Sequence, residues 1–428
     1  MKYFWLFIFI TTFVCKSQAQ IKDSINSNSQ TVNDSIKKAE FLNYIGNGYY
    51  PTKYFNIDLR YLIKYNQHEG FRTGLGGVTS EGFSKYFRIE GYTVYGFVDH
   101  TFKYSFGGGV RVAKKTNTWI NLLYTEDLEE TGSSSFLTDK RLFQFFEPRL
   151  INIDLFQKHI SKTISVEHQL HPKILTETQF SVSKIDPTFD YVFRSKNGER
   201  FTNFDLSILK ISAQWNPFSE FNDPSSNIKE TKTGYPKFTV QFTKSLAKVF
   251  NGDFNFSKLD FRIVQQFNYS KESNTQIVLT SGLANGNAPL THLYHAYPNN
   301  VNKETILQRF SVAGINSFET MFFNEFFSDK FSTLQIKQTL KPFEISPWFK
   351  PQLVLITRFA IGDMNSITRH ENITFDTLKK GFTESGFEIN KLFFGFGLSF
   401  AYRYGAYHLP EFGDNIAFKF TFNINLGN

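Results

Sequence analysis

Residues 416–426 read Ile416-Ala417-Phe418-Lys419-Phe420-Thr421-Phe422-Asn423-Ile424-Asn425-Leu426. Even positions carry Ile, Phe, Phe, Phe, Ile and Leu, and between them sit Ala417, Lys419, Thr421, Asn423 and Asn425. Strict period-two alternation gives a strand one apolar face and one polar face. The stretch is about the ~9–11 residues that a tilted strand needs to cross a bilayer. A bilayer admits β-structure only as a sheet closed on itself, because an open edge leaves backbone groups unpaired in hydrocarbon. The segment therefore reads as the closing strand of a membrane barrel.

The totals agree with that reading. The chain has 428 residues with 52 Phe, 20 Tyr and one Cys, at a mean hydropathy of −0.30. So much Phe in a chain that is polar on average suits a barrel with aromatics outside and polar side chains inside. The alternative is a large aromatic-rich soluble β-protein. The formal charge of +8 invites a nucleic-acid partner, but no Lys/Arg cluster gathers on a recognisable helix or motif, which argues against one. The excess is assigned to lumen and loops, where it favours anionic solutes or lipopolysaccharide.

Residues 1–19 read as a cleaved signal peptide. Lys2 supplies the positive start, Tyr3 to Val14 the short apolar run, and Ser17-Gln18-Ala19 a small-residue cleavage site. Cys15 invites a lipid-attachment reading, but Phe13-Val14 before it lack the small residues expected there. Cleavage at Ala19 leaves a chain without cysteine, hence without disulfides or thiol chemistry. No later run approaches the roughly 18 uninterrupted apolar residues of a membrane-spanning helix. Residues 20–50 read as a flexible periplasmic linker, rich in Ser, Asn, Asp, Lys and Gln, with a short helix in Ala39–Tyr50. Residues 51–428 are assigned to the barrel.

Alternation then runs almost without pause. Phe71, Thr73, Leu75 and Gly77 alternate with Arg72, Gly74 and Gly76, and Phe87 to Phe97 follow. Phe102, Tyr104, Phe106, Gly108, Val110 and Val112 face one way, and Lys103, Ser105, Gly107, Gly109 and Arg111 the other. Further strands are expected near Thr118–Tyr124, Leu150–Phe156, Ile160–Leu170, Ile174–Lys184, Asp190–Arg194, Phe204–Trp215 and Phe238–Leu246. Leu259–Tyr269, Gln276–Leu283, Phe331–Leu340, Leu353–Ile361, Phe382–Ile389 and Phe394–Tyr404 precede the closing strand. These make seventeen candidates, whereas a bacterial barrel has an even number, so about sixteen strands are expected. Counting back from the C-terminus puts Gly405–Gly413, Gly362–Lys380 and Ala284–Lys330 outside the cell. Asn390-Lys391 and Ser270–Asn274 become tight periplasmic turns. Pro217–Gly234 falls inside although it is long and polar, so either a strand pair upstream is misassigned or that turn is unusual.

The stretch Gln308–Phe331, QRFSVAGINSFETMFFNEFFSDKF, sits in the longest external segment. It mixes aromatics such as Phe318 with Arg309, Glu319, Glu325 and Asp329. A loop both apolar and charged is expected to fold back into the lumen and pair with the wall. Arg72, Arg111, Arg358 and Arg403, all expected to point inward, are the natural partners for its carboxylates. Such a loop either plugs and stiffens the barrel or gates a path.

Enzyme signatures are lacking. The nine histidines form no helical HExxH, and there is no G-x-S-x-G elbow. Glu167, His168 and His171 at a strand end are metal ligands by type, and a solvated turn explains them as well. A Ser–His–Asn lipase arrangement leaves no local signature, because its members come from separate strands. The glycines at 74–77 and 107–109 precede neither a helix nor a Lys-Ser/Thr pair, so they are not phosphate loops. No cofactor or metal site is expected.

Several stretches together carry a resemblance: NQHEGFRTGLGGVTS (Asn66–Ser80), FSKYFRIEGYTVYGFVDHTFKYSFG (Phe83–Gly107), NSFETMFFNEFFSDKF (Asn316–Phe331), and GFTESGFEINKL with YRYGAYHLPEFGDNIAFKFTF. They resemble the C-terminal barrel of an outer-membrane family of unassigned function, over roughly Phe41 to Asn428. Members of that family usually carry a carboxypeptidase-regulatory-like β-sandwich in front. Here only a linker of about thirty residues precedes the barrel, so partner docking by such a domain is not implied. A looser likeness connects the family to surface-antigen (BamA-like) barrels of sixteen strands, whose sixth external loop folds into the lumen. Asn316–Phe331 is the corresponding element. The resemblance implies a bacterial outer-membrane barrel acting in export, surface assembly or envelope maintenance. Its partners are outer-membrane lipid, lipopolysaccharide and periplasmic or surface proteins. A passive porin for small anionic solutes and a barrel lipase or acyltransferase are the competing readings.

Overall fold

A computed structural model describes residues 41, 44–45, 48–133, 135–137, 149, 153, 155–221, 230–301, 311–346, 348–393 and 395–422. The signal-like residues 1–19 and most of the lead-in lie outside the described residues. Phe41, Tyr44 and Ile45 are helical, within the short helix expected there.

Among the described residues sixteen strands form the wall, each antiparallel to its sequence neighbours. The first, β1, comes in two halves, Phe55–Asp58 and Ile63–Asn66, on either side of the 3-10 turn Leu59–Tyr61. Next come β2 (Gly70–Thr79), β3 (Phe87–Gly96), β4 (Phe102–Ala113), β5 (Thr118–Glu130), β6 (Phe156–His171) and β7 (Ile174–Pro187). They are followed by β8 (Phe204–Trp215), β9 (Lys237–Ser245), β10 (Phe256–Ser270), β11 (Ser273–Gly286) and β12 (Lys330–Thr339). The last four are β13 (Gln352–Asp363), β14 (Phe382–Phe393), β15 (Phe396–Tyr404) and β16 (Ile416–Phe422).

Exposure identifies the solvent on each face. On β16, Phe418 is 48% exposed and its neighbour Lys419 only 1%. On β4, Phe106 is 67% exposed while Lys103, Ser105 and Arg111 are buried. A water-soluble sandwich would show the reverse. Apolar side chains outside and charged ones inside are the arrangement of a transmembrane β-barrel.

Sixteen arises from the seventeen candidates by three corrections. Of Leu150–Phe156 only Phe156 belongs to a wall strand, and residues 150–152 and 154 lie outside the described residues. Asp190–Arg194 contributes the short strand Val192–Arg194, which pairs with Arg200–Phe201 and His370–Glu371 in a small sheet apart from the wall. The strand β1 carries no clean alternation, because Asp58 accepts from the Arg60 N–H at 3.0 Å and starts the turn that splits it. Pro217–Gly234 is indeed an unusual turn: the wall strands on either side stand as counted, and a small hairpin joins Glu220–Phe221 to Glu230–Lys232.

The apolar core lies at the long-loop end of the barrel, within the wall. Strand-end residues Phe204, Leu206, Phe256 and Phe382 meet loop residues Tyr191, Phe193, Leu290, Tyr294, Phe318, Met321, Phe326 and Phe327. Gly282 on β11 allows that contact, since a Cβ there would lie 2.5 Å from the Tyr294 ring. The loop between β11 and β12 thus folds inward, as a plug with its own parallel pair, Pro298–Asn300 with Phe318–Phe322.

Candidate functional site

The plug leans on the last strands of the wall. Register puts Gln335, Arg358, Glu384 and Arg403 side by side across β12 to β15. Period-two geometry sends all four to the inner face. Lys419 on β16 stands opposite Ser399, which stands opposite Glu388. These side chains meet the plug at three carboxylates, and Gln335 also donates to the Ile315 carbonyl at 3.4 Å.

The deepest is Glu384, fully buried. It accepts the backbone N–H groups of Glu319 and Thr320, both at 2.9 Å, and the Thr320 hydroxyl at 2.6 Å. Arg358 donates to it at 2.5 Å. A carboxylate that accepts two consecutive backbone N–H groups fixes the peptide between them, and charge-assisted bonds of this kind are the strong ones.

The second is Glu319 itself. Its carboxylate takes the Lys419 ammonium at 3.0 Å, the Asn299 amide at 2.8 Å, the Ser317 hydroxyl at 2.7 Å and the Gly314 N–H at 3.1 Å. Burial opposes its charge, but Lys419 and Arg358 hold its carboxyl below the usual range. Lys419 also donates to the Asn299 carbonyl. The third is Glu325, which takes both terminal nitrogens of Arg403, at 2.6 and 3.0 Å. Arg403 lies 4.7 Å over the Phe382 ring, and Phe382 receives Phe318 edge-on at 5.6 Å.

Two of the four arginines proposed as partners meet the plug region, Arg403 directly and Arg358 through Glu384. For the other two, the contacts among the described residues lie within the wall. Arg72 is held by Asp127 on β5 in two bonds of 2.7 Å, with Glu69 at 3.3 Å. Arg111 lies 5.9 Å from the Trp119 ring. Both sit on β2 and β4, away from β12 to β16, although the same loop also reaches β5 and β10, where His295 lies 2.7 Å from Glu130 and the Tyr294 hydroxyl donates to Asp260 at 2.5 Å. Among the described residues Asp329 meets no arginine but accepts the Asn365 N–H at 2.9 Å. Arg309 lies outside the described residues. Lys419 and Glu384 were missed as partners. Their signal was present, since each sits at an inward position of a clearly alternating strand.

The His-rich strand end does not assemble a ligand set. Glu167 pairs with Arg88 at 2.7 Å, His168 with the Thr118 hydroxyl at 2.7 Å, and His171 accepts the Lys173 N–H at 3.2 Å. Among the described residues no three His, Cys, Asp or Glu are grouped to hold a metal.

Comparison with known proteins bears on the family and the fold. The family described as "Family of unknown function (DUF5686) C-terminal domain" matches residues 40–320. BamA from Haemophilus ducreyi lacking POTRA domains 1–3 is similar in fold, with a TM-score of 0.51 at 9% identity, covering 84% of this chain and 68% of that one. CdiB from Escherichia coli (TM-score 0.44, 8% identity, 84% and 60% coverage) and CdiB from Acinetobacter baumannii (0.41, 9%, 83% and 57%) also match. No curated protein sequence matches the chain.

Proposed function

We propose that this chain, which belongs to the DUF5686 C-terminal domain family, is an integral bacterial outer-membrane barrel that acts in export, surface assembly or envelope maintenance. Its working part is the plug and the wall strands β13 to β16 that hold it. The observation that carries the reading is the set of three carboxylate clamps, at the buried Glu384 and Glu319 and the half-buried Glu325. A plug that served only as filler would need apolar packing alone, and burying charges is costly unless they are paired and hydrogen-bonded. Paired charges instead specify one register and give it a defined way to come apart.

The outer wall meets lipid and lipopolysaccharide through its aromatic and aliphatic belt, and the two ends of the barrel offer surfaces for periplasmic or surface proteins. Deleting Asn316–Phe331 should alter envelope permeability or the display of surface proteins while the barrel still inserts. An unchanged phenotype with normal insertion would count against the reading. A passive porin for anionic solutes draws on the inward Lys and Arg, but the apolar cluster at the long-loop end argues against an open path. Steady high conductance in planar bilayers would restore it. A lipase or acyltransferase draws on no residue cluster among the described residues. Hydrolysis or acyl transfer on phospholipid by the purified protein would be needed to revive it.

A further inference from the structure

Strand β16 has two edges. One pairs with β15 from Ile416 to Phe422. In a closed even-stranded barrel the other would pair antiparallel with β1, yet among the described residues the ladder of β16 runs only to β15, and those of β1 only to β2 and to Tyr49–Tyr50. The chain's own segment Ser311–Ala313 lies there instead. The Ala313 N–H donates to the Phe420 carbonyl at 2.7 Å, and the Phe420 N–H donates to the Ser311 carbonyl at 3.0 Å. Val312 stands opposite Phe420 in parallel orientation. Because β1 would arrive antiparallel, this segment is a separate occupant of the edge and no continuation of the wall. The other margin is covered in a similar way. Tyr49–Tyr50 pairs with Ile57 and Asp58 on the edge of β1 that faces away from β2.

One hub holds the occupant. Asn299 donates from its amide both to the Val312 carbonyl, at 3.1 Å, and to Glu319. Glu319 takes the Gly314 N–H, just past the occupant, and Lys419, the β16 residue next to Phe420. The ion pair that ties the plug to β16 therefore also fixes the peptide that covers β16. Ser311 and Ala313 are buried and small, so the covered edge fits a strand with small side chains at alternate positions.

We infer that this edge of β16 is an acceptor for one extended polypeptide strand, parallel to β16 and small at alternate positions. Ser311–Ala313 is a removable stand-in, released when Glu319 and Lys419 part. Strand addition to a sheet edge draws its affinity from main-chain hydrogen bonds and its selectivity from alternate side-chain positions. The inference rests on the proposed export or assembly role and names the partner class and its control.

The test uses the full chain in detergent with Cys15→Ser throughout, folding being checked by heat-modifiable gel migration. The probe is a fluorescein-labelled peptide of the sequence Ser311–Asn316, read by anisotropy. One variant, Glu319→Gln with Lys419→Met, neutralises both partners. The second, Val312→Cys with Phe420→Cys, locks the occupant on the edge when oxidised. The neutral pair should bind the peptide at least about tenfold more tightly than the unaltered chain, since the competing strand is released. The oxidised lock should abolish binding, and reductant should restore it. Equal binding by oxidised and reduced lock, or no gain in a folded neutral-pair variant, overturns the inference. If the neutral pair fails to fold, the lock alone decides. Binding is read on purified protein, so an unchanged envelope after plug deletion would sink the export role without touching this result.

Discussion

Replacing Glu384 by Ala should release the plug from the wall while the wall stays intact. The side chain accepts three bonds from Glu319 and Thr320 and one from Arg358. A hydrogen bond to a charged group contributes about 1.5–3 kcal/mol net. Leaving the buried Arg358 without its carboxylate costs about 3–5 kcal/mol by itself. The terms share one carboxylate and do not add fully, so about 4 kcal/mol is a conservative total. Every 1.4 kcal/mol is tenfold, which makes the released state roughly 10³-fold more populated. Hydrogen–deuterium exchange in detergent reads this directly, because local opening sets amide protection. The Glu319 and Thr320 amides should exchange faster by about that factor, and the ladder between β13 and β14 should be unchanged. Unaltered protection at those two amides would refute the reasoning, as would loss of protection throughout β13 and β14.

Other consequences follow from the same geometry. Gly282→Val should displace Tyr294 and break its 2.5 Å bond to Asp260, lowering the thermal unfolding midpoint of the barrel through overpacking of about 1–3 kcal/mol; an unshifted midpoint would contradict the close contact. Acid should loosen the long-loop end. Burial and the charge of Arg369 push His370 down to about 3, and burial with Lys258 does the same for His292. Both are neutral when packed, so their stability is complete above the ordinary value near 6.5 and declines as pH falls from there toward 3, by about 1.4 kcal/mol per unit for each. Limited proteolysis of residues 188–203 should therefore accelerate between pH 7 and pH 5, and a flat profile would count against the buried histidines. Phe106→Arg places a charge on the lipid face and should destabilise the barrel by up to about 2–4 kcal/mol in lipid unfolding titrations, where a change near zero would mean that this face meets water.

The wall was legible because alternation records a strand with a different solvent on each side. That held for β4 and β16, where each residue faces as its parity demands. It failed at β1, where the turn at Leu59–Tyr61 breaks the period, and at Asp190–Arg194, whose alternation serves a small sheet beyond the wall. Inward folding of Asn316–Phe331 was readable from charges set among aromatics. Which arc of wall it touches was not, because alternation gives the face of a residue and says nothing of its neighbours around the ring. Arg72 and Arg111 point inward as expected, and among the described residues Asp127 holds Arg72 while the Trp119 ring lies beside Arg111. The row of Arg358, Glu384 and Arg403 becomes visible only once β13, β14 and β15 are in register. Lys419 stood in the very stretch that fixed the fold, as one polar residue of its inner face.

Spin labels placed singly at positions 416–422 of the protein in bilayers would test the barrel most directly, by comparing collision with oxygen, which concentrates in lipid, and with a water-soluble nickel chelate. Labels at Ile416, Phe418 and Phe420 should favour oxygen, and those at Ala417, Lys419 and Thr421 should collide with neither partner readily, since they face the interior. Uniform collision with the nickel chelate along the strand would contradict the account.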